Sequence, residues 1–130
     1  MTTDLWMLVL SGLLCVSIPV IYLAGRTISP GGTAWGFGNR DTPLEVPAWT
    51  RRAERAHANL VENLTPFAIL VLVAHLTGKA NGTTALGSEL FLAGRVAHVL
   101  VYTAGLIGVR TAVFFVATAG EIMILMQLLR

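Results

Sequence analysis

The chain has 130 residues, 55% of them hydrophobic and 12% charged, with a formal net charge of +2 and a mean hydropathy of +0.71. This balance excludes a disordered chain and an ordinary water-soluble domain, and it fits one compact membrane domain over 1–130. The charge is small and no basic tract is interleaved with aromatic residues, so nucleic acid is set aside as a partner.

Leu5 to Gly25 is apolar apart from Ser11 and Ser17, long enough to cross a bilayer. The first predicted span is 5–26, closed by Arg26. Asp4 is the only charged side chain ahead of it, so the segment lacks the basic start of a cleaved signal and is read as retained. Pro19 withholds a donor from the Cys15 carbonyl and predicts a kink. Cys15 is the only cysteine, which excludes an internal disulfide; it reads as a small core residue.

Residues 27–48 hold Pro30, Pro43 and Pro47 with Gly31, Gly32, Gly36 and Gly38 and read as a loop. These glycines lack phosphate-loop spacing and follow no strand. The second span is predicted over 48–77, polar in its first half and apolar from Phe67 to Leu76. A polar turn from Lys79 to Gly87 leads to a third span over 88–107, with Ser88 as its cap. Gly108 and Val109 connect to a fourth span over 110–129. The expected fold is an all-α integral membrane four-helix bundle. Arg26, Arg40, Arg51, Arg52 and Arg55 lie in or beside the first connection and Arg110 at the third, against Lys79 alone at the second. The positive-inside rule then puts the first and third connections in the cytoplasm, with Arg130 a mild counter-signal.

Two polar constellations interrupt the apolar pattern. Arg52, Arg55, Asn59 and Glu62 are spaced by three, four and three residues, which places them on one narrow helix face. Arg95, His98 and Tyr102 share a face of the third span, opposite the small residues Ala93, Ala97, Ala104 and Gly108 that would let another helix approach. Such groups in a bilayer are costly unless they hold something polar. An Arg95–Glu62 ion pair is one way to neutralise two of them. Pro66 leaves the Glu62 carbonyl without its helical donor. His57 falls on the other side of the helix and reads as structural, His75 as an interface residue, and Glu121 as a partner in an interhelical salt bridge or hydrogen bond. The three histidines lack zinc-site spacing, so no metal is expected, and no serine is paired with a plausible base.

A set of arginines with an acid, an amide, an imidazole and a phenol suits a small zwitterion rich in carboxylates, such as glutathione. Arginines take carboxylates bidentately, Glu62 takes the ammonium, and a nearby arginine favours the thiolate of a thiol whose free pKa is about 8.5.

The segments Arg55-Ala-His-Ala-Asn-Leu-Val-Glu62 with Pro66-Phe67, and Phe91-Leu-Ala-Gly-Arg-Val-Ala-His-Val-Leu-Val-Tyr102, resemble the MAPEG family (membrane-associated proteins in eicosanoid and glutathione metabolism). The resemblance covers nearly the whole chain. It implies a homotrimer that binds glutathione as cosubstrate in clefts between subunits, toward the cytoplasmic side. Arg55, Asn59 and Glu62 then match glutathione contacts, with Arg52 on the same face. Arg95, His98 and Tyr102 match residues that line or support the site, and Arg26 an arginine supplied by the adjacent subunit. Arg110 matches an arginine near the thiol, and Thr111 stands where a hydroxyl assists the thiolate. The implied activity is that of a glutathione transferase acting on lipophilic electrophiles dissolved in membrane lipid, with peroxidase activity toward lipid hydroperoxides. Ala58 and Phe114 replace an arginine and a tyrosine of the prostaglandin-synthase members, which speaks against prostaglandin synthesis more than against glutathione binding. The short chain and compact loops resemble a bacterial member, implying the bacterial inner membrane. The rival expectation is a non-enzymatic helical membrane protein whose buried ion pairs only specify assembly. A proton or ion pathway is opposed by the apolar run from Phe67 to Leu76.

Overall fold

The computed structural model describes residues 1–130 as five helices and no strands. α1 spans Thr3–Thr27; the hydroxyl of Thr2 accepts from the Leu5 amide and Asp4 sits in the first turn, where an anion complements the helix dipole. The helix runs on through Pro19.

The expected loop of 27–48 contains a short helix, α2, over Gly32–Phe37. Gly31, at φ +74°, turns the chain into it, a left-handed conformation that glycine adopts at no steric cost. A Cβ on Gly32 would collide with the Arg26 carbonyl, so α2 lies hard against the end of α1. Trp35 Nε1 then donates to the Thr42 carbonyl at 2.6 Å and ties down the following strand of loop.

α3 covers Ala48–Leu76, starting where Pro47 predicts. It continues through Pro66. α4 covers Gly82–Ala104, six residues earlier than the 88–107 expected, because Asn81 is the cap rather than Ser88. Asn81 Oδ1 accepts from the amides of Thr83 and Thr84, and Thr84 Oγ1 accepts from the Asn81 amide, a reciprocal capping box. Ser88 is instead buried, and its hydroxyl donates to Asp4 Oδ1 at 3.4 Å, joining α4 to the start of α1. Gly105, at φ +88°, ends α4, and α5 covers Ile107–Leu128. The tight connection is therefore Gly105–Leu106, not Gly108–Val109.

α1, α3, α4 and α5 are each long and apolar enough to cross a membrane; even the shortest, at 22 residues, extends about 33 Å, against a hydrocarbon core of about 30 Å. The protein is thus a helical membrane bundle of four spans. Its exposed side chains agree: Leu13, Val16, Val20, Leu100, Phe115 and Ile122 all project outward, a surface suited to lipid or to another subunit.

The tightest helix pair is α4 with α5. Gly87 and Gly120 meet backbone to backbone, and a Cβ on Gly94 would stand 2.8 Å from the Ala117 amide. These glycines, rather than Ala93, Ala104 and Gly108, carry the close approach within the chain; the latter three are exposed. Beside them Phe67 and Phe91 stack at 3.8 Å between ring centroids, with Val71, Ala74, Ala117 and Ile124 around them. A second cluster of Ile18, Ala56, Leu60 and Val99 joins α1, α3 and α4.

Candidate functional site

The up-down topology brings the end of α1, α2, the start of α3, the end of α4 and the start of α5 to one end of the bundle. Arg26, Arg40, Arg51, Arg52, Arg55 and Arg110 all gather there. At its centre, Arg52 Nε donates to the Thr103 carbonyl at 2.9 Å. That carbonyl belongs to the last turn of α4, where helical acceptors lack intrahelical donors, and a cation complements the dipole. Gly105 leaves room for this: a Cβ there would lie 3.2 Å from the Arg52 guanidinium.

Arg110, in the first turns of α5, lays its guanidinium over the Tyr102 ring at 4.7 Å, a cation–π contact. Arg52, Tyr102, Gly105, Leu106, Ile107 and Arg110 enclose a cavity of about 180 Å³. From it a row of side chains leads inward along α4. Tyr102 meets His98 edge-on at 5.3 Å between centroids, and His98 in turn lies 6.3 Å from Phe114. One helical turn deeper, Arg95 is 1% exposed, its guanidinium flanked by Phe91 at 5.1 Å and Phe114 at 5.3 Å. Arg95 Nη1 donates to Asn59 Oδ1 at 3.0 Å, linking α4 to α3. A groove of about 370 Å³, mostly apolar, shares Arg52 and runs between Ile21, Trp49, Val99 and Leu100.

The structure therefore joins Arg52, Asn59, Arg95, His98, Tyr102 and Arg110 in one continuous region. It does not form the Arg95–Glu62 ion pair: Asn59 is the α3 partner of Arg95, and the chain's one ion pair is elsewhere. The reason is direction, since the Arg95 side chain folds back along α4 onto Phe91. Arg55 and Glu62 are exposed on α3 with no side-chain hydrogen bond or ion pair inside the chain, and Thr111 is exposed beside Arg110.

Arg26 is engaged within the chain. Its Nε and Nη2 lie 3.0 and 2.9 Å from Glu54 Oε1, and its guanidinium sits 4.9 Å from the Tyr22 ring and 5.2 Å from Trp35. Glu54 and Trp35 belong to no motif; the one signal in the sequence is Glu54 as the lone acid within the arginine-rich start of α3. His57 has the structural role expected of it. Its Nε2 lies 3.6 Å from Cys15 Sγ and its Nδ1 3.3 Å from the Tyr22 hydroxyl, fastening α3 to α1.

The model of the MAPEG family matches residues 5–130, nearly the whole chain. The protein belongs to the MAPEG family. This family includes glutathione transferases and related enzymes. No curated protein matches closely enough to count as a relative. Within the MAPEG frame, the polar region is the end of a membrane bundle at which cations, an amide, an imidazole and a phenol converge, above an aromatic layer.

Proposed function

We propose that this MAPEG protein is a glutathione-dependent membrane transferase that works as a homotrimer. The observation that carries the reading is the row Arg110–Tyr102–His98–Arg95–Asn59, with Phe114 between His98 and Arg95. It joins an open cationic rim to a half-buried amide, and so offers donors for carboxylates at several depths. Arg55 and Glu62 support the oligomer: two charged groups exposed on a membrane helix are expensive against lipid, and a cleft shared with a neighbouring copy relieves that cost. In this reading Arg52 and Arg55 receive glutathione carboxylates, Glu62 receives the ammonium, and Asn59, Arg95, His98 and Tyr102 line or support the pocket. Arg26 braces the rim through Glu54.

Arg110 stabilises the thiolate and Thr111 donates a hydrogen bond to it. The thiolate sulfur attacks the electrophilic carbon of a lipophilic substrate that arrives from the bilayer; a C–S bond forms and the leaving group departs with its electron pair. With a lipid hydroperoxide the sulfur attacks the peroxide oxygen, giving a sulfenic acid and an alcohol; a second glutathione converts the sulfenic acid to the disulfide and water. The apolar groove beside Arg52 supplies a route for such substrates. By the distribution of arginines, the site end faces the cytoplasm, in a bacterial inner membrane.

Removal of a charge-stabilising donor typically lowers turnover by about 10²-fold or more. Arg110→Ala is expected to do so with saturating glutathione and a reactive aryl halide; turnover equal to wild type removes Arg110 from the mechanism. The rival, a non-enzymatic scaffold, draws on Arg26 and Arg52, which both fasten helices. It requires that glutathione not bind at all.

A further inference from the structure

Arg95 presents a physical problem that its bond to Asn59 does not solve. It lies within a membrane span, 1% exposed, yet Nη1 alone is used. Nε and Nη2 are buried without partners, and no carboxylate lies within ion-pair distance. A buried guanidinium with no counter-charge costs several kcal/mol in order-of-magnitude terms, so some acid must answer it.

The chain has seven acids. Asp41, Glu45, Glu62 and Glu89 are exposed. Asp4 is held by Ser88 and Glu54 by Arg26. Glu121 remains. Its Oε1 is buried without a partner. The α4–α5 crossing sets its level. Arg95 folds back to the level of Phe91, and a Cβ on Gly120 would stand 2.9 Å from the Phe91 amide, so Glu121, the next residue, stands at that same level. The two orphan donors of Arg95 and the orphan acceptor of Glu121 are complementary in charge and in hydrogen-bonding role.

We infer that Glu121 is the counter-ion of Arg95 and a positioning residue for Asn59. With Oδ1 taken by Arg95, the Asn59 amide keeps its NH₂ to donate to a carboxylate or carbonyl of the ligand. Glu121 thus acts at a distance on the glutathione site, and this part of the inference rests on the function proposed above.

The test uses the full chain purified in detergent, with Glu121→Gln, Arg95→Gln and the double variant. Two quantities are measured: the thermal midpoint without glutathione, and the steady-state constants. Each single variant is expected to lower the midpoint, with the double variant regaining at least half of the summed loss. Glu121→Gln should raise the glutathione KM at least fivefold, with kcat and the electrophile KM within twofold of wild type. Should Glu121→Gln fail to assemble, the double variant must assemble; its failure overturns the pairing. Additive midpoints in a chain that still saturates with glutathione refute the pairing and leave the proposed function standing. A wild-type chain with no glutathione dependence refutes the positioning role together with that function. A wild-type glutathione KM in Glu121→Gln refutes the positioning role alone.

Discussion

The two halves of the bundle solve the same problem in opposite ways. In the half around Phe67, Phe91, Gly87 and Gly120, helices touch at their backbones and aromatic rings stack, and Ser88 with Asp4 ties the ends of two helices together. In the half around Arg52, Tyr102 and Arg110, helices are held apart by long cationic side chains, each resting on a neutral group, and cavities open between them. Van der Waals packing and small residues drive association inside a bilayer. The tight half can therefore hold the fold by itself and leave the other half free to carry charge and space.

If that division holds, substitutions in the two halves should separate stability from activity. The largest effect is expected from Gly120→Val. A side chain there has no space against the Gly87 backbone, so α4 and α5 must part; monodisperse protein in detergent should be lost, as gel filtration would show. Phe67→Ala removes one ring of the stacked pair and should cost about 3–5 kcal/mol of stability, read as a lower thermal midpoint, while the surviving folded protein retains its glutathione affinity. A folded Phe67→Ala protein that no longer binds glutathione would mean that the halves are not separable.

On the polar side, Arg52→Ala removes the donor to the Thr103 carbonyl. A hydrogen bond from a charged group contributes about 1.5–3 kcal/mol, so a moderate loss of midpoint is expected, with hydrogen exchange accelerated at the α4–α5 connection. Tyr102→Leu takes the ring from beneath Arg110. A cation–π contact of about 1 kcal/mol corresponds to roughly a fivefold fall in turnover, with the midpoint little changed. Arg26→Gln should matter least. Its pair with Glu54 is 25% and 33% exposed, and such pairs contribute about 0–1 kcal/mol; a large loss there would make the rim, rather than the glycine seam, the holder of the fold.

Much of the architecture is legible in the sequence because the bilayer allows few solutions. Length and hydropathy give four spans, and the spacing of Arg95, His98 and Tyr102 gives a shared face; the structure shows all three along one row. What the sequence conceals is set by contacts remote in the chain. Ser88 looks like a cap because a small polar residue precedes an apolar run, but Asn81 and Thr84 cap each other, and Ser88 is needed by Asp4 at the far end of the chain. Arg95 looks like a partner for Glu62 because both are charged and on adjacent spans. Rotamer direction decides instead for Asn59 and the level of Glu121, which depends on where Gly120 crosses α4. α2 escaped notice because glycine and proline mark its surroundings as loop, while its stability comes from Trp35 bonded to Thr42 and flanked by Arg26 and Arg40.

The central claim is that the row from Arg110 to Asn59 receives glutathione. A calorimetric titration of glutathione into the detergent-purified wild-type chain and its Asn59→Leu variant tests it most directly. Saturable heat with the wild type, weakened at least tenfold in Asn59→Leu, is the predicted result; no heat of binding by the wild type, or equal affinity in the two proteins, would contradict it.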